Sequence, residues 1–249
     1  MNHHDDFYFT PIARIKNAFP TKFGVPRQSG LINSLQSEII FAPPYRNPDA
    51  LRGLDGFSHI WLVWVFHQSI RDRHAENRDP DLSGDSRNRG WSPTVRPPRL
   101  GGNVRMGVFA TRSPFRPNPI GLSCVKLEKI EIRPDTGPVL IISGADLIDN
   151  TPILDIKPYL PYADSIPGAL GGFASQSPFN HLLQVIIPPE LLSRVPVQYQ
   201  SALRDILSQD PRPRYHDNPD RIYGFSFANL EIKFTVSDDI LTVREIINL

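Results

Sequence analysis

The chain has 249 residues, 40% of them apolar and 21% charged, a composition that excludes intrinsic disorder and allows one large domain or a medium one with an appendage. Cys124 is the only cysteine, which excludes an intrachain disulfide and a cysteine-type zinc site. The net charge of +1 hides a separation: no acidic residue lies between Asp85 and Glu128, a stretch that carries eight cations, whereas the rest of the chain is acidic overall.

The N-terminus, Met1 to Asp6, is polar and acidic, without the basic and apolar regions of a signal peptide. The longest apolar run, Ile60 to Phe66, is too short to cross a bilayer, so we expect a cytoplasmic protein with no membrane partner. The 26 prolines sit badly in helices and central strands and favour short strands joined by stiff loops. Phe9–Asn17 and Glu38–Phe41 read as strands. Phe57–Phe66 is apolar on both faces and reads as a strand covered on both sides, with His59, Trp61 and Trp64 as core residues. Residues 69–92 are hydrophilic and aperiodic, the pattern of a flexible loop.

Further strands are expected at Gly107–Thr111, Ser123–Ile132 and Val139–Leu147, each bounded by Gly or Pro. Short strands at this spacing suggest a barrel or curled sheet. Residues 163–180 have the composition of a linker. Beyond it, Gln198–Ser208 has the period of an amphipathic helix, and Leu230, Ile232, Phe234 and Val236 alternate with polar residues as a half-buried strand does. The expected fold class is therefore β-rich α+β: an N-terminal β-barrel or curled sheet over 1–165, a linker at 166–180 and a small α+β domain over 181–249.

Several chemistries are excluded by motif. Neither G-x-G-x-x-G nor a P-loop occurs, and seven histidines at unrelated spacings give no metal template. Ser123-Cys124-Val125-Lys126 fits S-x-x-K, but its companion K-T-G is missing and the segment reads as a strand. The segments Thr94–Gly102 and Gly107–Gly121 are different. Prolines and glycines there hold Arg96, Arg99, Arg112 and Arg116 on shaped loops, and arginine forks suit phosphate and carboxylate. The alternative is a solvated basic loop.

Phe23-Gly24-Val25-Pro26-Arg27-Gln28, the run from Leu51 to Trp61, the block from Arg96 to Gly121, Asp155–Pro161 and Asp210-Pro211-Arg212-Pro213-Arg214-Tyr215 resemble the TrmO family. The resemblance runs from about Ile12 to the end of the chain. It implies a barrel that binds S-adenosyl-L-methionine without a Rossmann sheet, a small C-terminal domain and a homodimer. It also implies a substrate: tRNA carrying N6-threonylcarbamoyladenosine beside the anticodon, methylated on N6. The cofactor contacts it implies are Pro26, Arg27, Gln28, His67, Gln68, Arg112, Leu122, Asp146, Leu147, Ile148 and Asp149. The family usually has Asp-Gly-Thr-Pro where this chain has Asp149-Asn150-Thr151-Pro152, and asparagine tolerates the left-handed turn that glycine adopts.

Physically, such a site needs a carboxylate for ribose hydroxyls or the amino group, which Asp146 or Asp149 supplies, and a cation for the methionine carboxylate, which Arg27 or Arg112 supplies. Arg96, Arg99, Arg116, Arg212 and Arg214 are the candidate RNA contacts, and no metal is expected. His67 ends the apolar strand and is a candidate general base, with Asp146 as its rival and a pocket wall as the plain alternative. A non-catalytic RNA-binding barrel is the competing function, and a methyltransferase with another acceptor is a third.

Overall fold

A computed structural model describes residues 8–70, 91–97, 104–175, 182–212 and 218–249. The first strands are β1 (Ala13–Lys16), β2 (Gln36–Phe41) and β3 (His59–Val65), followed by the two-residue pair β4 (Thr94–Val95) and β5 (Met106–Gly107). The long β6 (Ile120–Arg133), β7 (Gly137–Ser143) and β8 (Pro152–Pro158) come next. After them lie β9 (Gln184–Ile186), the helix Val197–Ser208, β10 (Tyr223–Phe227), β11 (Leu230–Ser237) and β12 (Ile240–Asn248).

Six strands hydrogen-bond in the order β1-β2-β7-β6-β3-β8, and β8 returns to β1 through Ala13 and Arg14, which closes the barrel. All six pairings are antiparallel, so inward and outward residues alternate. Ile15, Ile39, Ile60, Leu62, Val125, Leu140, Ile142 and Ile153 fill the interior. Closure removes the exposed strand edges that an open sheet would leave. The ladder between β3 and β8 slips at Val63/Trp64, and such bulges re-aim the side chains beside them.

Several expectations need correction. In β3 only Ile60, Leu62 and Trp64 are buried; His59 is exposed at the strand's start, and Trp61 is half-buried on the outer face, its Nε1–H donated to Asp164 at 3.0 Å. The strand buried on both faces is β7, where Val139 through Ser143 are all inaccessible. The expected strand Gly107–Thr111 keeps only Gly107 in β5; Val108–Ala110 is a 3-10 turn closed by Thr111 N–H to the Val108 carbonyl. The strand expected to reach Leu147 ends at Ser143, because Gly144 turns the chain at φ 80°. Of the loop 69–92, residues 71–90 lie outside the described residues, and 67–70 form a helical turn. Asn150 sits at φ 61°, the left-handed conformation for which asparagine substitutes for glycine.

The second sheet runs β10-β11-β12-β9, with β9 parallel to β12. The helix Val197–Ser208 covers it with Ala202, Leu203, Ile206 and Leu207. This core does not belong to the C-terminal residues alone. Ala18, Phe19, Ile32 and Leu35, from the connection between β1 and β2, are buried in it. The rings of Phe19 and Phe227 lie 5.4 Å apart, Ala228 N–H donates to the Ala18 carbonyl at 2.9 Å, and the Ser34 hydroxyl donates to Asp205. The C-terminal residues are thus not an appendage on a string. Deleting them would uncover Phe19 and Ile32, each worth about 1.5–3 kcal/mol of burial.

Gly24 shows how tight this docking is. It has φ 89°, and a Cβ there would lie 2.3 Å from the Phe225 ring. Gly53 has a similar φ of 84° but open space around it. Both glycines to alanine should lose about 1–2 kcal/mol for the left-handed conformation. Only Gly24→Ala adds the displacement of a core ring, about 1–3 kcal/mol more. Urea unfolding of the two variants should therefore show the larger loss at Gly24; equal losses would contradict the docking described.

Candidate functional site

One end of the barrel opens into a cavity of about 460 Å³, a volume in the range of small-molecule sites. Five segments build its wall: Lys22–Gln28 from the docked connection, the end of β3 with His67–Ser69, Arg112–Arg116, the start of β6, and Asp146–Thr151. Trp64 stands at its centre. Its ring lies flat over Gly121, where a Cβ would come 2.2 Å from the indole, and beside Phe66 at a centroid distance of 4.3 Å. Any larger residue at 121 would expel the indole from this position.

A directed chain of hydrogen bonds leads from Trp64 to a carboxylate. Trp64 Nε1 donates to Ser123 Oγ at 2.9 Å, and Ser123 Oγ lies 2.5 Å from Asp146 Oδ1. An indole nitrogen only donates. The serine hydroxyl therefore accepts from Trp64 and donates its own proton to Asp146 Oδ1, a bond that favours the ionised acid.

Burial pushes the Asp146 carboxyl above the usual range, and this outweighs what opposes it. The Ser123 hydrogen bond, backbone N–H groups of Asp146 and Ser29, and the charge of Arg112 each pull the other way. The acid is thus costly to ionise in the folded chain, and a bound cation would lower that cost.

The cations opposite are held by a second chain. Arg112 Nη1 donates to Gln28 Oε1 at 2.6 Å, and Gln28 Nε2 donates to the Arg27 carbonyl at 2.5 Å. Arg27 Nη2 reaches the carbonyls of Asp210 and Arg212 at 3.4 and 3.3 Å, which ties the rim to the C-terminal segment.

Among the cofactor candidates, Pro26, Arg27, Gln28, His67, Gln68, Arg112, Leu122, Asp146 and Ile148 line the cavity. Leu147 does not: it is buried in the barrel core. Asp149 does not either, because it caps the turn after β1. Its Oδ1 accepts the Asn17 N–H at 2.9 Å, its Oδ2 accepts the Asn150 amide at 2.7 Å, and its own N–H binds the Phe19 carbonyl.

Of the RNA candidates, Arg96 is exposed. Arg116 is a loop staple rather than a surface contact: its Nη2 donates to the carbonyls of Val108 and Thr111 at 3.1 and 2.7 Å. Arg212 is a two-pronged partner of Asp210, at 2.8 and 3.0 Å, which takes up its charge. Arg99 and Arg214 lie outside the described residues. Reading by motif missed Trp64 and Ser123 as site residues. A signal existed for the serine: it is the polar residue in the buried row Gly121, Ser123, Val125, Leu127, opposite Leu62. Lys126, the other half of the S-x-x-K pattern, points outward and pairs with Glu128 at 2.9 Å.

Comparison with known proteins agrees with this geometry. Residues 14–165 match the model of the tRNA-methyltransferase O N-terminal domain, and residues 181–249 match the TrmO C-terminal domain. The tRNA (adenine(37)-N6)-methyltransferase of Escherichia coli K12 is 40% identical over 93% of this chain and 94% of its own length. A Pseudomonas aeruginosa protein described as a putative S-adenosylmethionine-dependent methyltransferase, RcsF, is 38% identical over 90% of each. The crystal structure of TrmO from Pseudomonas aeruginosa superposes with a TM-score of 0.72 at 30% identity, covering 97% of this chain and 98% of that one. Family models that span most of the chain and relatives that match it end to end make this chain a member of the tRNA-methyltransferase O family.

Proposed function

We propose that the chain transfers a methyl group from S-adenosylmethionine to N6 of the adenosine beside the anticodon of tRNA, with N6-threonylcarbamoyladenosine as the acceptor. The observation that carries the reading is the composition of the cavity. It sets one buried carboxylate and three arginines around an apolar wall, in a chain whose Escherichia coli relative is named a tRNA (adenine(37)-N6)-methyltransferase. A homodimer at work in the cytoplasm, with residues 181–249 assisting in tRNA recognition, belongs to the same reading.

The donor set fits the cofactor's chemistry. Asp146 suits its cationic side, Arg27 or Arg112 suits its carboxylate, and Val25, Pro26, Trp64, Phe66 and Leu122 suit a planar base. Arg116 lines the same cavity, and its buried Nε–H has no partner among the described residues, so it is a donor that a ligand's oxygen would satisfy. When bound, S-adenosylmethionine supplies an electrophilic methyl group on a positively charged sulfur. The chain's own residues hold the acceptor in line, exclude water through Trp64, Phe66 and Leu122, and take up the proton that N6 must lose. Alignment in a held pair contributes on the order of 7–11 kcal/mol at best. A non-catalytic RNA-binding barrel would have no use for a carboxylate kept in a site where its charge is costly.

Calorimetry of S-adenosylmethionine binding tests the reading. A cation prefers ionised Asp146, so affinity should rise as pH climbs through the acid's raised pKa and level off above it. Ser123→Ala removes a donor that favours the carboxylate. The midpoint of that rise should move to higher pH, with near-normal affinity restored above it. Asp146→Asn should flatten the rise. A Ser123→Ala profile that drops equally at every pH would show the serine to be packing only.

His67 is the candidate base for the N6 proton, since it stands at the rim beside Gln68. His67→Ala should leave cofactor affinity within a few-fold and cut single-turnover methylation by at least about 100-fold. Collapse of cofactor affinity with turnover restored at saturating cofactor would make His67 a wall of the pocket.

A further inference from the structure

Two large rings stand in solvent on the loop that walls the cavity. Phe109 is 77% exposed and Phe115 52%. Single exposed apolar residues need no explanation. They share a loop with the cavity-lining Arg112, Pro114 and Arg116, and the centroids of the Phe109 and Trp91 rings are 6.4 Å apart with 27° between the planes. The loop that presents them is fixed. Thr111 Oγ1 donates to the Val108 carbonyl at 2.8 Å, Phe115 N–H donates to Ser113 Oγ at 3.2 Å, and the Arg116 guanidinium clamps the carbonyls of Val108 and Thr111. A rigid loop that holds rings outward loses little conformational entropy when something lands on them.

The charge around the rings selects what lands. Arg96, Arg105 and Arg112 accompany them, Arg105 with its Nε held by Thr94 Oγ1 at 2.8 Å, and no acid lies between Asp85 and Glu128. Flat apolar faces among fixed cations complement a polyanion whose own flat faces are free: RNA with unpaired bases. In duplex RNA the bases already stack on one another and the rings have nothing to take.

Resting on the function proposed above, we infer that Phe109 and Trp91, with Phe115 on the same loop, form a stacking platform for the unpaired bases that flank the adenosine entering the cavity. The platform selects looped over paired RNA, whereas the arginines set affinity for phosphate of either kind.

The test measures binding of a synthetic RNA hairpin with an adenosine-containing loop, and of a blunt RNA duplex of equal length, to the full chain. Phe109→Ala should weaken hairpin binding about 5- to 150-fold, the loss expected for one base stack, and leave duplex binding unchanged. Phe109→Tyr should restore hairpin binding, while Phe109→Leu, which keeps apolar bulk but not the π face, should not. The slope of log K against log salt should stay as in the unaltered chain, because stacking releases no counterions, whereas Arg105→Ala should reduce it by about one. Full hairpin affinity in Phe109→Ala, or rescue by leucine, overturns the platform. So does a shift of Phe109→Ala to a smaller species in sedimentation with RNA affinity intact, which would make the rings a contact between copies of this chain. If the unaltered chain binds the hairpin but not S-adenosylmethionine, the proposed function fails and the platform stands; if it does not bind the hairpin, the platform fails.

Discussion

The site depends on one packing event: the connection between β1 and β2 inserts Phe19, Ile32 and Leu35 into the C-terminal core. The same connection carries Pro26, Arg27 and Gln28. Because Gly24 lies hard against Phe225, the loop after it has little freedom, and Gln28 is delivered to Arg112 on the far wall. One wall of the cavity therefore rests on residues far away in sequence, from the second sheet and its helix. A buried aromatic insertion does what a covalent link would do elsewhere: it makes two sheets one body around a shared opening.

The barrel contributes the buried carboxylate, Asp146. Desolvation makes its charge expensive, and the chain from Trp64 through Ser123 gives the ionised acid a donor on Oδ1. A carboxylate in this state is well suited to a cation and poorly suited to empty solvent. Arg112 moderates the cost without forming a direct pair that would cancel the charge. The cavity thus holds one carboxylate and several cations on an apolar lining, an arrangement that suits a zwitterionic ligand with a flat base.

Much of this was legible in the sequence. Alternation gave the strand Leu230–Ser237, and the 3.6-residue period gave the helix Val197–Ser208 to within a residue. The Pro26-Arg27-Gln28 segment and Asp146 come to one cavity, as residues singled out in common should. What remained hidden was set by long-range partners. The return of β8 onto β1 depends on backbone pairing at Ala13 and Arg14, which no local pattern marks. Val108-Phe109-Ala110 looks like a strand, yet the distant Arg116 guanidinium holds it as a turn. Asp146 and Asp149 are equivalent by composition. Only the fold shows that Asn17 takes up one of them and leaves the other for the site.

The central claim is that this cavity serves methyl transfer to N6 of the modified adenosine. The most direct measurement incubates the purified chain with S-adenosylmethionine and tRNA bearing N6-threonylcarbamoyladenosine, then analyses the digested nucleosides by mass spectrometry. The account predicts that this nucleoside gains one methyl group on N6, and that Asp146→Asn suppresses the gain. Binding of S-adenosylmethionine without any methylated nucleoside, or a methyl group found on another base, would contradict it.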